Sequence, residues 1–102
     1  MSSRFILAPQ AAQDLVEIWS YIRASSTEAM ADRVESVIRA KLVALVETPG
    51  IGHSRQNLTD APVKFFAVYS YLIVYLHATK PLQVVAILHG HRDLERIMQE
   101  RF

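Results

Sequence analysis

The apolar residues of the chain keep one period in its first half and another in its second. After a short β-forming run at residues 3–8 (Ser-Arg-Phe-Ile-Leu-Ala), Pro9 suits the first position of a helix, where its missing N–H costs no hydrogen bond. From Gln10 to about Arg23, Ala11, Leu15, Ile18 and Ile22 recur at helical spacing with Ala12 and Trp19 beside them, which predicts an amphipathic helix. Asp14 and Glu17 fall in its first half, and Asp14 reads as a residue favoured by the helix dipole. Ser25, with Glu28 three residues on, fits a capping box for a second helix reaching about Glu47. Met30, Val34, Val37, Ile38, Leu42, Leu45 and Val46 mark its apolar face, and Thr48-Pro49-Gly50 stops it. Two such helices over so short a turn predict an antiparallel hairpin, with Leu15, Trp19, Leu42 and Leu45 near one another and the sheet.

Residues 49–62 carry Pro49-Gly50, Gly52 and Pro62 and read as an irregular loop. Three β-rich runs follow, at 63–69, 71–77 and 84–89, separated by turns at Ser70 and at Ala78-Thr79-Lys80-Pro81. They are apolar almost throughout, which predicts a sheet covered in part on both faces. Asp93 opens a last helix with Leu94, Ile97 and Met98 on one side. The order is β-α-α-β-β-β-α: an α+β chain, read as one domain over residues 1–102, with a helical hairpin on a largely antiparallel four-stranded sheet.

Composition narrows the function classes. Hydrophobic residues are 51% and charged residues 21%, enough for a core. Cysteine is absent, which excludes disulfides and thiolate metal sites. No run approaches a membrane span, and the N-terminal apolar run is too short for a leader, so a soluble cytoplasmic protein without membrane contact is expected. A net charge of +1 is low for a protein that grips nucleic acid, so none is expected to bind it directly.

Four local sequences then carry a resemblance. Ala11-Ala12-Gln13-Asp14-Leu15-Val16-Glu17-Ile18-Trp19-Ser20-Tyr21-Ile22, Pro49-x-x-Gly52-x-x-Arg55, Tyr71-Leu72-Ile73-Val74-Tyr75 and Ile87-Leu88-His89-Gly90-His91-Arg92-Asp93-Leu94 occur in the order found in RelE/ParE toxins, and in the ParE-like subgroup above all. The resemblance implies the toxin of a type II toxin-antitoxin system that requires no cofactor. A cognate antitoxin, of the ribbon-helix-helix type, would neutralise it.

RelE-like members cut mRNA on the ribosome and ParE-like members poison DNA gyrase; the fold does not separate them. Cutting RNA needs a base, an acid and cations around the phosphate. The predicted central strands hold Lys64 and no other lysine or arginine. The expected activity is therefore gyrase inhibition without catalysis, with ribosome-dependent RNA cleavage by Arg55, His89 and Arg92 as the alternative. Arg55, His89, His91, Arg92 and Phe102 are the candidate target contacts, each with an ordinary structural reading beside it. His89-x-His91 has the spacing of two metal ligands on one strand, but no third ligand is evident and no metal is expected. The candidate antitoxin contacts, taken partly from the resemblance, are Leu15, Ile18, Trp19 and Ile22 on the first helix.

Overall fold

The computed structural model describes residues 5–90 and 94–101. The elements run β1 (Phe5–Leu7), α1 (Pro9–Ser25), α2 (Glu28–Glu47), a single 3-10 turn (Pro49–Ile51), β2 (Val63–Val68), β3 (Tyr71–Leu76), β4 (Leu82–His89) and α3 (Leu94–Arg101). This is the expected order, with the helix and strand ends shifted by a few residues.

Local chemistry sets the boundaries. Pro9 holds Ala8 in an extended conformation (φ −59°, ψ 154°) and starts α1 at once. The turn into α2 is a correction to the expected capping box. Ser25 is still helical, and its hydroxyl donates to the Tyr21 carbonyl at 2.8 Å. The cap is Thr27, whose Oγ1 accepts from the Met30 N–H at 3.0 Å. Met30 is accordingly exposed, and Ala31 takes the core position at that end of α2.

The sheet order is β1-β4-β3-β2. β2 with β3 and β3 with β4 are antiparallel, whereas the short edge strand β1 runs parallel to β4, so the sheet is mixed. Tyr69-Ser70 closes the first hairpin, with Tyr69 at φ 55°. That left-handed conformation disfavours a side chain such as tyrosine.

A register shift between Val74 and Tyr75 leaves Val85 unpaired on β4. It also inverts the facing of β4. Before it, Leu82 and Val84 join the core under the helical hairpin; after it, Ile87 does, while Ala86 and Leu88 join the core on the opposite face. Strict alternation along the run could not have revealed this.

The sheet is thus covered on both faces. On one, Ala11, Leu15, Val34, Ile38, Leu42 and Leu45 of the hairpin pack on Val68, Ile73, Tyr75, Val84 and Ile87. On the other, Ile97 and Met98 of α3 pack on Val63, Phe65, Val74, Ala86 and Leu88. Among the described residues, no helix is long and apolar enough to cross a membrane.

Candidate functional site

At 100° per residue, the core stripe of α1 (Ala11, Leu15, Ile18, Ile22) leaves two flanks, with Ala12, Val16 and Trp19 on one and Asp14, Glu17 and Tyr21 on the other. Each flank borders a separate depression.

The first is a groove of about 290 Å³ between α1 and α2, lined by Leu7, Ala12, Leu15, Val16 and Trp19 and rimmed by Glu35 and Arg39. Val16 is 58% exposed. Trp19 is partly buried and serves as a tie: its Nε1–H donates to Asp32 Oδ1 at 2.8 Å, linking the helices, and the Arg23 guanidinium lies 5.8 Å from its ring centroid. The Glu35–Arg39 ion pair on the far rim spans 3.1 Å.

The second flank carries the main polar junction of the fold. Asp14 is 6% exposed and lies beyond the first turn of α1, so the dipole reading is corrected. β1 pairs with β4 only as far as Val84, and beyond that point Asp14 takes the place of a strand partner: Oδ2 accepts from the Ile87 N–H at 3.0 Å. Arg101, near the end of α3, donates to both carboxylate oxygens at 2.8 and 2.9 Å. One carboxylate therefore joins the hairpin, the exposed edge of β4 and the helix from the opposite face. This partnership raises the Arg101 pKa, against the lowering effect of burial.

Beside this junction is a pocket of about 310 Å³, walled by Glu17, Ile18, Tyr21, Tyr71, Ile87 and His89. The Tyr71 and His89 rings meet edge to face, with centroids 5.4 Å apart. Burial, and secondarily the proximity of Tyr21, raise the Tyr71 pKa.

The loop motif has a clear geometric basis. The buried Tyr75 hydroxyl donates to the Pro49 carbonyl at 2.7 Å and accepts from the Gly52 N–H at 3.0 Å. A Cβ at Gly52 would land on that hydroxyl and crowd the Phe65 carbonyl, so the close approach requires glycine. His53 then bridges to Phe65 by paired backbone bonds of 2.8 and 2.7 Å. Tyr75 belongs to the third quoted motif and Pro49 and Gly52 to the second, so the two are one structural unit.

The candidate target residues do not all come together. Arg55 lies with its guanidinium 5.9 Å from the Phe65 ring centroid, and Phe65 packs on the α3 face. His89 contacts Tyr71, which packs on the hairpin face. Tyr71 is opposite Val68, three residues along β2 from Phe65, a displacement of roughly 10 Å, and β2 and β4 are two strand spacings apart, roughly another 10 Å. Arg55 and His89 thus approach the sheet from opposite faces and at different heights. His91, Arg92 and Phe102 lie outside the described residues.

The expected antitoxin strip divides as well. Leu15 is buried, Ile18 and Ile22 are partly buried against the same core, and Trp19 faces the groove. Val16 and Tyr21, not singled out from the sequence, are the exposed apolar and aromatic groups of the two flanks. Their signal was positional: both lie just off the core stripe.

Comparison with known proteins agrees with this architecture. A solved structure described as the chromosomal ParDE TA system from P. aeruginosa is similar in fold, with a TM-score of 0.72 at 16% identity, covering 85% of this chain and 95% of that one. No curated protein sequence matches the chain. The family model for the ParE toxin of the type II toxin-antitoxin system parDE matches residues 5–94, which span both α1 flanks, the Tyr75 anchor and β4. The chain belongs to the ParE toxin family of type II toxin-antitoxin systems.

Proposed function

We propose that this toxin acts on DNA gyrase as a non-catalytic inhibitor and is held inactive by a cognate antitoxin, of the ribbon-helix-helix type. The observation that carries the choice of target is the wide separation of Arg55 from His89. A phosphoryl-transfer site must gather a base and cations around one phosphate. Among the described residues, the strands offer Lys64 as their only lysine or arginine, and Arg101 is committed to Asp14. A gyrase inhibitor needs no such cluster, because gyrase supplies the cleavage chemistry and the toxin supplies a shaped surface.

The groove on the Val16 flank supports the antitoxin part of the reading. Its floor is apolar and its rim is charged, the chemistry that takes the apolar face of an amphipathic partner segment. Leu15 would form its floor and Trp19 its wall, whereas Ile18 and Ile22 hold α1 in place from beneath.

Expression in bacteria carrying a DNA-damage-response reporter and profiled for mRNA ends tests the target. The expected result is reporter induction with ribosome-bound mRNA intact. Codon-positioned mRNA cuts without reporter induction would defeat the proposal.

A further inference from the structure

The pocket on the Glu17 flank differs in chemistry from the antitoxin groove. Among the described residues Glu17 forms no direct ion pair: Arg101 feels its charge but is hydrogen-bonded to Asp14, and the Glu17 carboxylate accepts from the neutral Gln13 side chain at 3.2 Å. The neighbouring acid, Asp14, is neutralised by Arg101 and contributes no net charge. Tyr21, 68% exposed, and Tyr71 supply aromatic surface, and His89 is fixed against Tyr71 at an interplanar angle of 86°. A carboxylate beside two tyrosines in a recess of about 310 Å³ is complementary to a delocalised cation. A guanidinium fits it best, because its plane can stack on a tyrosine while its N–H fork meets the carboxylate.

We propose that this pocket receives an arginine side chain presented by a protein partner, with Glu17 as its counter-ion and Tyr21 and Tyr71 as its stacking walls. The assignment does not depend on gyrase being the target. Ile18 and Ile87 close the base with apolar surface, so the stem of the arginine is accommodated as well as its head. The pocket and the Val16 groove lie on opposite flanks of α1 and share no lining residue.

The test uses the whole purified protein and N-acetyl-arginine methylamide, followed by amide NMR. The expected result is a saturable set of shifts at Glu17, Tyr21, Tyr71 and His89 with millimolar affinity. The citrulline analogue, isosteric but neutral, loses both the ion pair and the cation–π stacking and should bind at least about tenfold more weakly, and the lysine analogue should also bind more weakly than arginine. Glu17→Gln, an exposed change that should leave the melting temperature unaltered, should weaken arginine binding about fivefold, the upper range for an exposed ion pair. Tyr21→Ala should weaken it further while the fold is retained. The proposal is overturned by a lack of saturable shifts at these residues, by equal binding of the citrulline or lysine analogue, or by a Glu17→Gln protein that binds as the parent does.

Discussion

Replacing Asp14 with asparagine probes the joint on which the fold most depends. The change is nearly isosteric, so packing is preserved, but it removes a charge that Arg101 meets through two hydrogen bonds of 2.8 and 2.9 Å and replaces an acceptor with an amide donor. Arg101, itself only 17% exposed, is left without its counter-ion. Breaking such a pair from one side costs about 3–5 kcal/mol. If the amide also turns its NH2 toward the Ile87 N–H, a further ~1–3 kcal/mol is lost. The partial exposure of Arg101 lets water recover some of this, so we expect about 3 kcal/mol overall, a drop of roughly 12–24 °C in Tm for a domain of this size. The single tryptophan, Trp19, reports urea unfolding from within the hairpin. A double-mutant cycle with Arg101→Leu isolates the pair. The coupling should exceed ~1 kcal/mol, with Asp14→Asn less harmful once Arg101 is gone, because no unpaired cation then remains. Additive losses within ~0.5 kcal/mol would refute the argument that the carboxylate and guanidinium act together.

Tyr75→Phe should cost about 1–3 kcal/mol by leaving the Pro49 carbonyl and Gly52 N–H without their partner; amide exchange should accelerate at Gly52 and His53, and unchanged exchange would contradict the anchoring role. Burial raises the pKa of both Tyr71 and Tyr75, so the folded state holds these protons more tightly than the unfolded one. Their contribution to stability is therefore present below about pH 10 and is lost as the pH rises through and above that value, and urea titrations from pH 9 to 11 should show a smaller decline for Tyr75→Phe. Val16→Asp places a charge in an exposed apolar wall without touching the core; antitoxin affinity should fall at least tenfold (~1.4 kcal/mol) at unchanged Tm, measured by calorimetry.

The elements and their order were legible from the sequence because each is marked by its own apolar period. Leu15, Leu42 and Leu45 lie in the core under the hairpin as the stripes required, whereas Trp19 lies beside that core and lines the groove between the helices. Three features were hidden, each for a physical reason. The bulge at Val85 changes the facing of β4 without changing its composition, since both of its faces are buried. The role of Asp14 depends on Ile87 and Arg101, partners 73 and 87 residues away in sequence. Thr27 and Ser25 are chemically similar caps, and the geometry of the turn selects between them. For the candidate site, the apolar stripe of α1 marked Leu15, Ile18 and Ile22, which pack in or against the core, and Trp19 beside them, which lines the groove. Val16 and Tyr21 were not marked, because their exposure depends on how much of α1 the second helix and the sheet cover.

The activity proposed for this toxin is arrest of gyrase without RNA cleavage. Purified protein incubated with gyrase, supercoiled plasmid and ATP, and trapped with detergent, tests it directly. Linear plasmid covalently attached to gyrase should accumulate with toxin concentration and disappear when the antitoxin is added. Absence of that species, together with A-site mRNA cleavage in a parallel ribosome reaction, would contradict the account.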